Sequence, residues 1–187
     1  MDRPSDLDLL QRLAALPGGP VDPRPPTSDD LETLAHELGR PARGVLAVAH
    51  RCRHGVPASV LTAPRLPDGT PFPTLYYLTC SVLSAAVSRL ESAGVMREMT
   101  ARLAADPDLA QRYRTAHETY LATRDAVEDL GIAVTAGGMP DRVKCLHVLV
   151  AHTLAVGPGI NPLGDDSVLL LPEAFRGEPP CVGPVPG

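Results

Sequence analysis

VLAVAHRCRHGVPASVLTAPRLPDGTPFPTLYYLTC, residues 45–80, decides the fold. Short runs of Val, Leu, Tyr and Thr are parted by Gly and Pro, which is the texture of strands and turns rather than of a helix. The runs predict strands at Val45–Arg51, Ala58–Thr62 and Thr74–Thr79. Gly55 supplies a tight turn between the first two. Between the last two lies PRLPDGTPFP, residues 64–73, whose four prolines and Asp68-Gly69 exclude regular pairing and make a stiff surface loop. In the third strand Tyr76 and Tyr77 must point to opposite faces, one into the core and one free to bond or bind.

Outward from this stretch the pattern becomes helical. Upstream, Ser28 is an N-cap ahead of Asp29 and Asp30, and Gly39 with Pro41 stops that helix after Leu38. Downstream, Leu83, Val87, Leu90, Met96, Met99 and Leu103 recur at helical spacing, with a break at Gly94. Asp106-Pro107 opens a helix to about Leu130, stopped by Gly131. A last helix is expected after Gly137-Gly138-Met139-Pro140, through Val143, Leu146, Val150 and Leu154. Beyond it GPGINPLGDD, residues 157–166, reads as a turn-rich loop. Six of the 21 prolines fall in residues 1–28 and five in 172–187, which predicts loosely ordered tails around a domain at 29–171. Leu7–Leu16 within the first tail is a short helix that either docks or frays. The class is α+β: a small antiparallel sheet packed against several helices in a single domain.

Composition narrows the function. The chain has 187 residues, 44% apolar, with no Trp and only two Phe, so aliphatic side chains fill the core. Its formal charge of −5 has the wrong sign for counterion release, which argues against a nucleic-acid partner. The apolar stretch Val148–Val156 contains His152 and is far shorter than the roughly 20 residues that span a bilayer. The start, MDRPSDLDLL, is acidic where a secretory signal is basic, so the expected location is cytoplasmic, with cysteines as thiols or metal ligands.

Cysteine and histidine carry the first chemical reading. Cys52 is followed by His54, and Cys145 by His147 and His152. On a continuous helix Cys145 and His152 share a face, whereas His147 is turned about 200° from Cys145. Cys52 and Cys80 each end a strand, so both are expected at one rim of the sheet. A helix crossing that rim would complete a Cys52, Cys80, Cys145 and His152 site, suited to zinc and less commonly to an iron–sulfur cluster. Any one of these cysteines can equally be a small core residue, and His152 a core histidine. Cys181, in the last tail, reads as exposed and incidental.

A second reading dispenses with metal. Cys145 near a helix N-terminus, with Arg142 and Lys144 close by, has the setting of a nucleophile or a phosphate site. Arg65 and Asp68 of the proline loop are expected to face that helix end across a polar cleft, giving an anion site for a phosphate-bearing ligand. P-loop, GxSxG and HExxH patterns are absent from the sequence.

Two blocks bear a resemblance. APRLPDGTPFPTLYYLTC, residues 63–80, and GGMPDRVKCLHVLVAHTLAVGPGINPLGD, residues 137–165, resemble the hallmark blocks of an actinobacterial family catalogued as domain of unknown function 501. The resemblance covers about residues 29–168. It implies no activity. Its genes commonly lie near a septum formation initiator and a Ppx/GppA exopolyphosphatase, which implies a setting in division or phosphate metabolism. The resemblance also sets His54 where the family has the second cysteine of Cys-x-Cys-Gly, and implies Cys or His at position 80. That exchange keeps ligand capacity and makes His54 a rival of His152. The expectations are therefore a zinc-favoured metal protein, a metal-independent enzyme acting on a phosphate-bearing substrate, or a module that binds a protein partner through the proline loop.

Overall fold

The computed structural model describes residues 6–132, 135 and 137–176, without the side chains of Ala174 and Arg176. Strands β1 (Val45–Arg51), β2 (Pro57–Thr62) and β3 (Tyr76–Leu78) form an antiparallel sheet of order β1-β2-β3. The pairing Val45↔Thr62 and Val60↔Tyr77 sets its register. The outer edge of β1 is partly covered, since Arg24 and Val48 exchange both backbone hydrogen bonds at 3.0 and 2.8 Å.

Eight helical segments follow the chain among the described residues: α1 (Asp6–Ala14), α2 (Ser28–Leu38), α3 (Ser81–Ser92), α4 (Val95–Ala105), α5 (Pro107–Val127), α6 (Leu146–Val156), α7 (Pro162–Leu170) and α8 (Glu173–Arg176). The arrangement is α+β. At its centre is α6, which is apolar nearly all round and therefore has to be buried on every side. It packs on the sheet, where Ser59 Oγ donates to Ala151 O at 2.9 Å, and against α3 and α7. The opposite face of β2 carries Val60 and Thr62, and α2 lies over part of it. Leu10 and Leu13 of α1 join the main core, so the first tail's helix docks.

Local chemistry explains the helix ends. Thr27, rather than Ser28, caps α2: Thr27 Oγ1 accepts from Asp30 N at 3.2 Å and Asp30 Oδ2 from Thr27 N at 2.9 Å, a reciprocal capping box. Gly39 ends that helix in the left-handed conformation, and Gly94 and Asp106-Pro107 act as expected.

Three further helix boundaries differ from expectation, the first being the end of α5, which stops at Val127 rather than near Leu130. The last long helix starts at Leu146, because Gly138 (φ +87°) begins a turn in which Lys144 N bonds Gly137 O, and Val143 N bonds Thr100 Oγ1 of α4. GPGINPLGDD is only half loop, because Asn161 Oδ1 accepts from Gly164 N at 3.0 Å with Pro162 at the first helical position, and this opens α7.

Candidate metal centre

Because α6 starts late, Cys145 is its N-cap in an extended conformation (φ −154°, ψ 115°), and its side chain does not cap the helix. A carboxylate from another helix takes over: Glu91, near the end of α3, accepts from Leu146 N at 2.7 Å through Oε1. The backbone N–H without an intrahelical partner and the dipole end of α6 favour a carboxylate there. The same Oε1 lies 3.2 Å from His147 Nδ1. On the other side of the ring, His147 Nε2 is 3.2 Å from Ser84 O and 3.3 Å from Ser88 Oγ. A carbonyl can only accept, so Ser84 O fixes a proton on Nε2, and Nδ1 is turned toward Glu91, to which it donates while the ring is doubly protonated.

One ligand atom each from Glu91, Cys145 and His147 lies within 4.8 Å of the others, the one such trio of His, Cys and acidic residues among the described residues. All three are half-buried. Hydrogen bonding to the Cys145 sulfur raises His147 most, burial pulls it down and Glu91 raises it again, which leaves it at about 9. Cys145 and His147 also line a cleft of about 480 Å³, whose other walls include Thr74, Tyr76 and Tyr77 from the β3 side and Ser84 from α3.

The structure separates the residues expected to share a metal. Cys52 and Cys80 follow β1 and β3, which run in the same direction, so both do lie toward one rim. Strand β2 stands between them, and two strand spacings amount to about 10 Å. Cys80 caps α3 instead, its sulfur accepting from Leu83 N at 3.5 Å. Cys52 is half-buried against the core, and His54 is exposed in the β1–β2 turn. His152 is fully buried, stacked on Tyr76 at 5.3 Å with its Nδ1 3.1 Å from Asn161 Nδ2. Cys181 lies outside the described residues.

The expected anion site is likewise not assembled. Arg65 Nε pairs with Glu128 at 2.7 Å, beyond the end of α5, and its Nη1 reaches Gly69 O of its own loop. Asp68 Oδ1 closes a turn on Thr70 N. Arg142 and Lys144 are exposed on a turn rather than on a helix N-terminus. In the stretch read as loop at residues 157–166, Asn161 caps α7, and Asp165 within α7 accepts from Thr153 Oγ1 and Gly159 N.

Of this trio, the sequence singles out Cys145 alone; Glu91 is not among the expected ligands, and His147 is set aside in favour of His152. The signal for Glu91 was the polar stripe Ser84, Ser88, Glu91 at four- and three-residue spacing on α3. His147 was lost because the 200° argument assumes a helix that already contains Cys145.

A family model described as protein of unknown function (DUF501) matches residues 48–168. No curated protein and no solved structure matches significantly.

Proposed function

The chain belongs to the DUF501 family, whose function is unknown, and on that premise we propose that it is a metal-binding protein with a zinc centre held by Glu91, Cys145 and His147. The observation that carries this reading is the convergence of three donors of zinc-binding type, with the imidazole oriented by the Ser84 carbonyl as a ligating histidine requires. Three protein ligands leave a fourth position for water or substrate, and the adjoining cleft is where either would enter. That is the pattern of a catalytic rather than a closed structural zinc. An iron–sulfur cluster fits poorly, since it needs several thiolates and this group has one sulfur. The cytoplasm, which keeps a cysteine ligand reduced, is the fitting compartment.

Elemental analysis and cobalt substitution test the proposal. The wild-type protein is expected to hold close to one equivalent of zinc after dialysis, and its cobalt form to show a sulfur-to-metal absorption band. Cys145→Ser and His147→Ala should lose both, while Cys52→Ser should keep both. Reconstituted wild-type protein that retains no metal, or a Cys52→Ser variant that loses as much as Cys145→Ser, overturns the proposal.

The raised His147 favours a second reading, a metal-free thiol and imidazole pair oriented by Glu91. In that case Cys145 alkylates rapidly in metal-free protein, and zinc gives no protection. Protection by stoichiometric zinc rejects it.

A further inference from the structure

We infer that a second site, on the face of the sheet away from α6, binds a small aromatic acid whose ring enters an apolar cleft between α2, the sheet and the proline loop while its anionic head meets Arg40 and Arg43. The cleft has a volume of about 260 Å³. Its floor includes Val60, Thr62 and Thr79, all buried. The two threonine hydroxyls already donate within the protein, Thr62 to Thr74 O and Thr79 to Pro57 O, so the floor makes little demand for a hydrogen-bonding guest. Leu34 and Leu38 form the α2 wall.

The opposite wall is aromatic: Phe72 and Tyr77 lie with ring centroids 6.4 Å apart, tilted by 39°. These are half of the chain's Phe and a quarter of its Tyr, brought to one cleft in a protein with no Trp. Tyr77 is thereby the tyrosine of the pair that faces out of the core. The loop carrying Phe72 is stiff, held by Phe72 N on Pro64 O at 2.6 Å and by the Arg65↔Pro71 bridge, so the wall is in place before any ligand arrives.

Charge selects the ligand's other end. Arg40 and Arg43 are exposed at the cleft, no acidic residue lines it, and neither arginine is in an ion pair among the described residues. Asp68 is close enough for the Arg43 charge to count as the least of the influences holding its carboxyl down, the first being the Thr70 N–H. In a chain of net charge −5, two guanidinium groups beside an apolar slot are a local reversal of sign, complementary to a carboxylate or a phosphate.

Calorimetric titration of the full-length protein with indole-3-acetate and phenyl phosphate, with indole-3-ethanol and phenol as neutral counterparts, tests the inference. At least one acid should bind, shift the amide resonances of Val60, Phe72 and Tyr77, and exceed its neutral counterpart by about tenfold or more. The tighter of the two identifies the head as carboxylate or phosphate. Arg40→Gln with Arg43→Gln should remove that preference, whereas Glu91→Gln should leave it intact, which separates this site from the metal centre. Equal binding of neutral and acidic compounds, an acid preference surviving in the double variant, or no binding of either acid at millimolar concentration would overturn it.

Discussion

His152 shows how a residue suited to metal can be held inside a core. Its ring is stacked on Tyr76 and meets Tyr120 edge-on at 5.1 Å, while the Asn161 amide donates to Nδ1 and so places the ring proton on Nε2. Complete burial pushes its pKa down to about 3. The neighbouring phenols are also shifted toward their neutral forms, Tyr120 up to about 12 and Tyr76 higher still, so no adjacent charge offsets the effect. The unfolded chain takes up a proton on this histidine near pH 6.5 and the folded chain does not, so its contribution is intact above that pH and falls with acidification toward about 3. The slope in this window is about 1.4 kcal/mol per pH unit. Urea unfolding at pH 7 and pH 5 should therefore show the wild type losing about 2 kcal/mol more than His152→Gln. Parallel losses in the two proteins would show that His152 does not remain neutral in the folded state. His50 and His117 are also lowered by burial and add acid sensitivity of the same sign to both proteins.

Between elements, α6 and α7 approach closely at Gly164. A Cβ on Gly164 would lie 2.3 Å from Thr153 Oγ1 and 2.7 Å from Leu149 O, and the second of these is helix backbone that cannot turn aside. Gly164→Ala should accordingly cost about 1–3 kcal/mol, measured as a lowered thermal midpoint, although alanine is the better helix former. An unchanged or raised midpoint would mean that the two helices separate freely. The same segment shows what was legible in the sequence. Strands and most helix ends were, because Gly and Pro there act through their own backbone restrictions. Pro162 was misread as loop punctuation, since a proline starts or ends a helix depending on whether a cap precedes it, and Asn161 is that cap. Val143 fits the helical period of α6, yet its N–H is taken by Thr100 of α4. That bond is tertiary and leaves no periodic trace. Glu91 and His147 are likewise neighbours only because α3 and α6 cross, 56 positions apart in the chain.

At the scale of the whole molecule the sheet is covered unequally. One face lies on α6 and the main core, whereas the other is covered only in part by α2, whose buried Leu34 stands outside that core. What fastens α2 is polar. Arg51 at the end of β1 grips Asp30 with two bonds of 2.7 Å, and Glu37 accepts from Ser81 N at 2.7 Å. The Arg51 guanidinium is the main influence holding Asp30 down, at about 2. Against an unfolded value of 3.8, this contributes on the order of 2 kcal/mol, present above about pH 4 and lost as pH falls toward 2. If α2 can detach without global unfolding, removing the pair should loosen it selectively. In Arg51→Gln, amide exchange in α2 at pH 7 should accelerate about tenfold or more, while exchange in α6 should change much less. The difference between wild type and variant should shrink as pH falls from 4 toward 2, because Asp30 takes up its proton first in detached α2 and only near pH 2 in the docked helix. Equal acceleration in both helices would instead make α2 part of the global folding unit, and the apolar cleft beneath it would then be as rigid as the core.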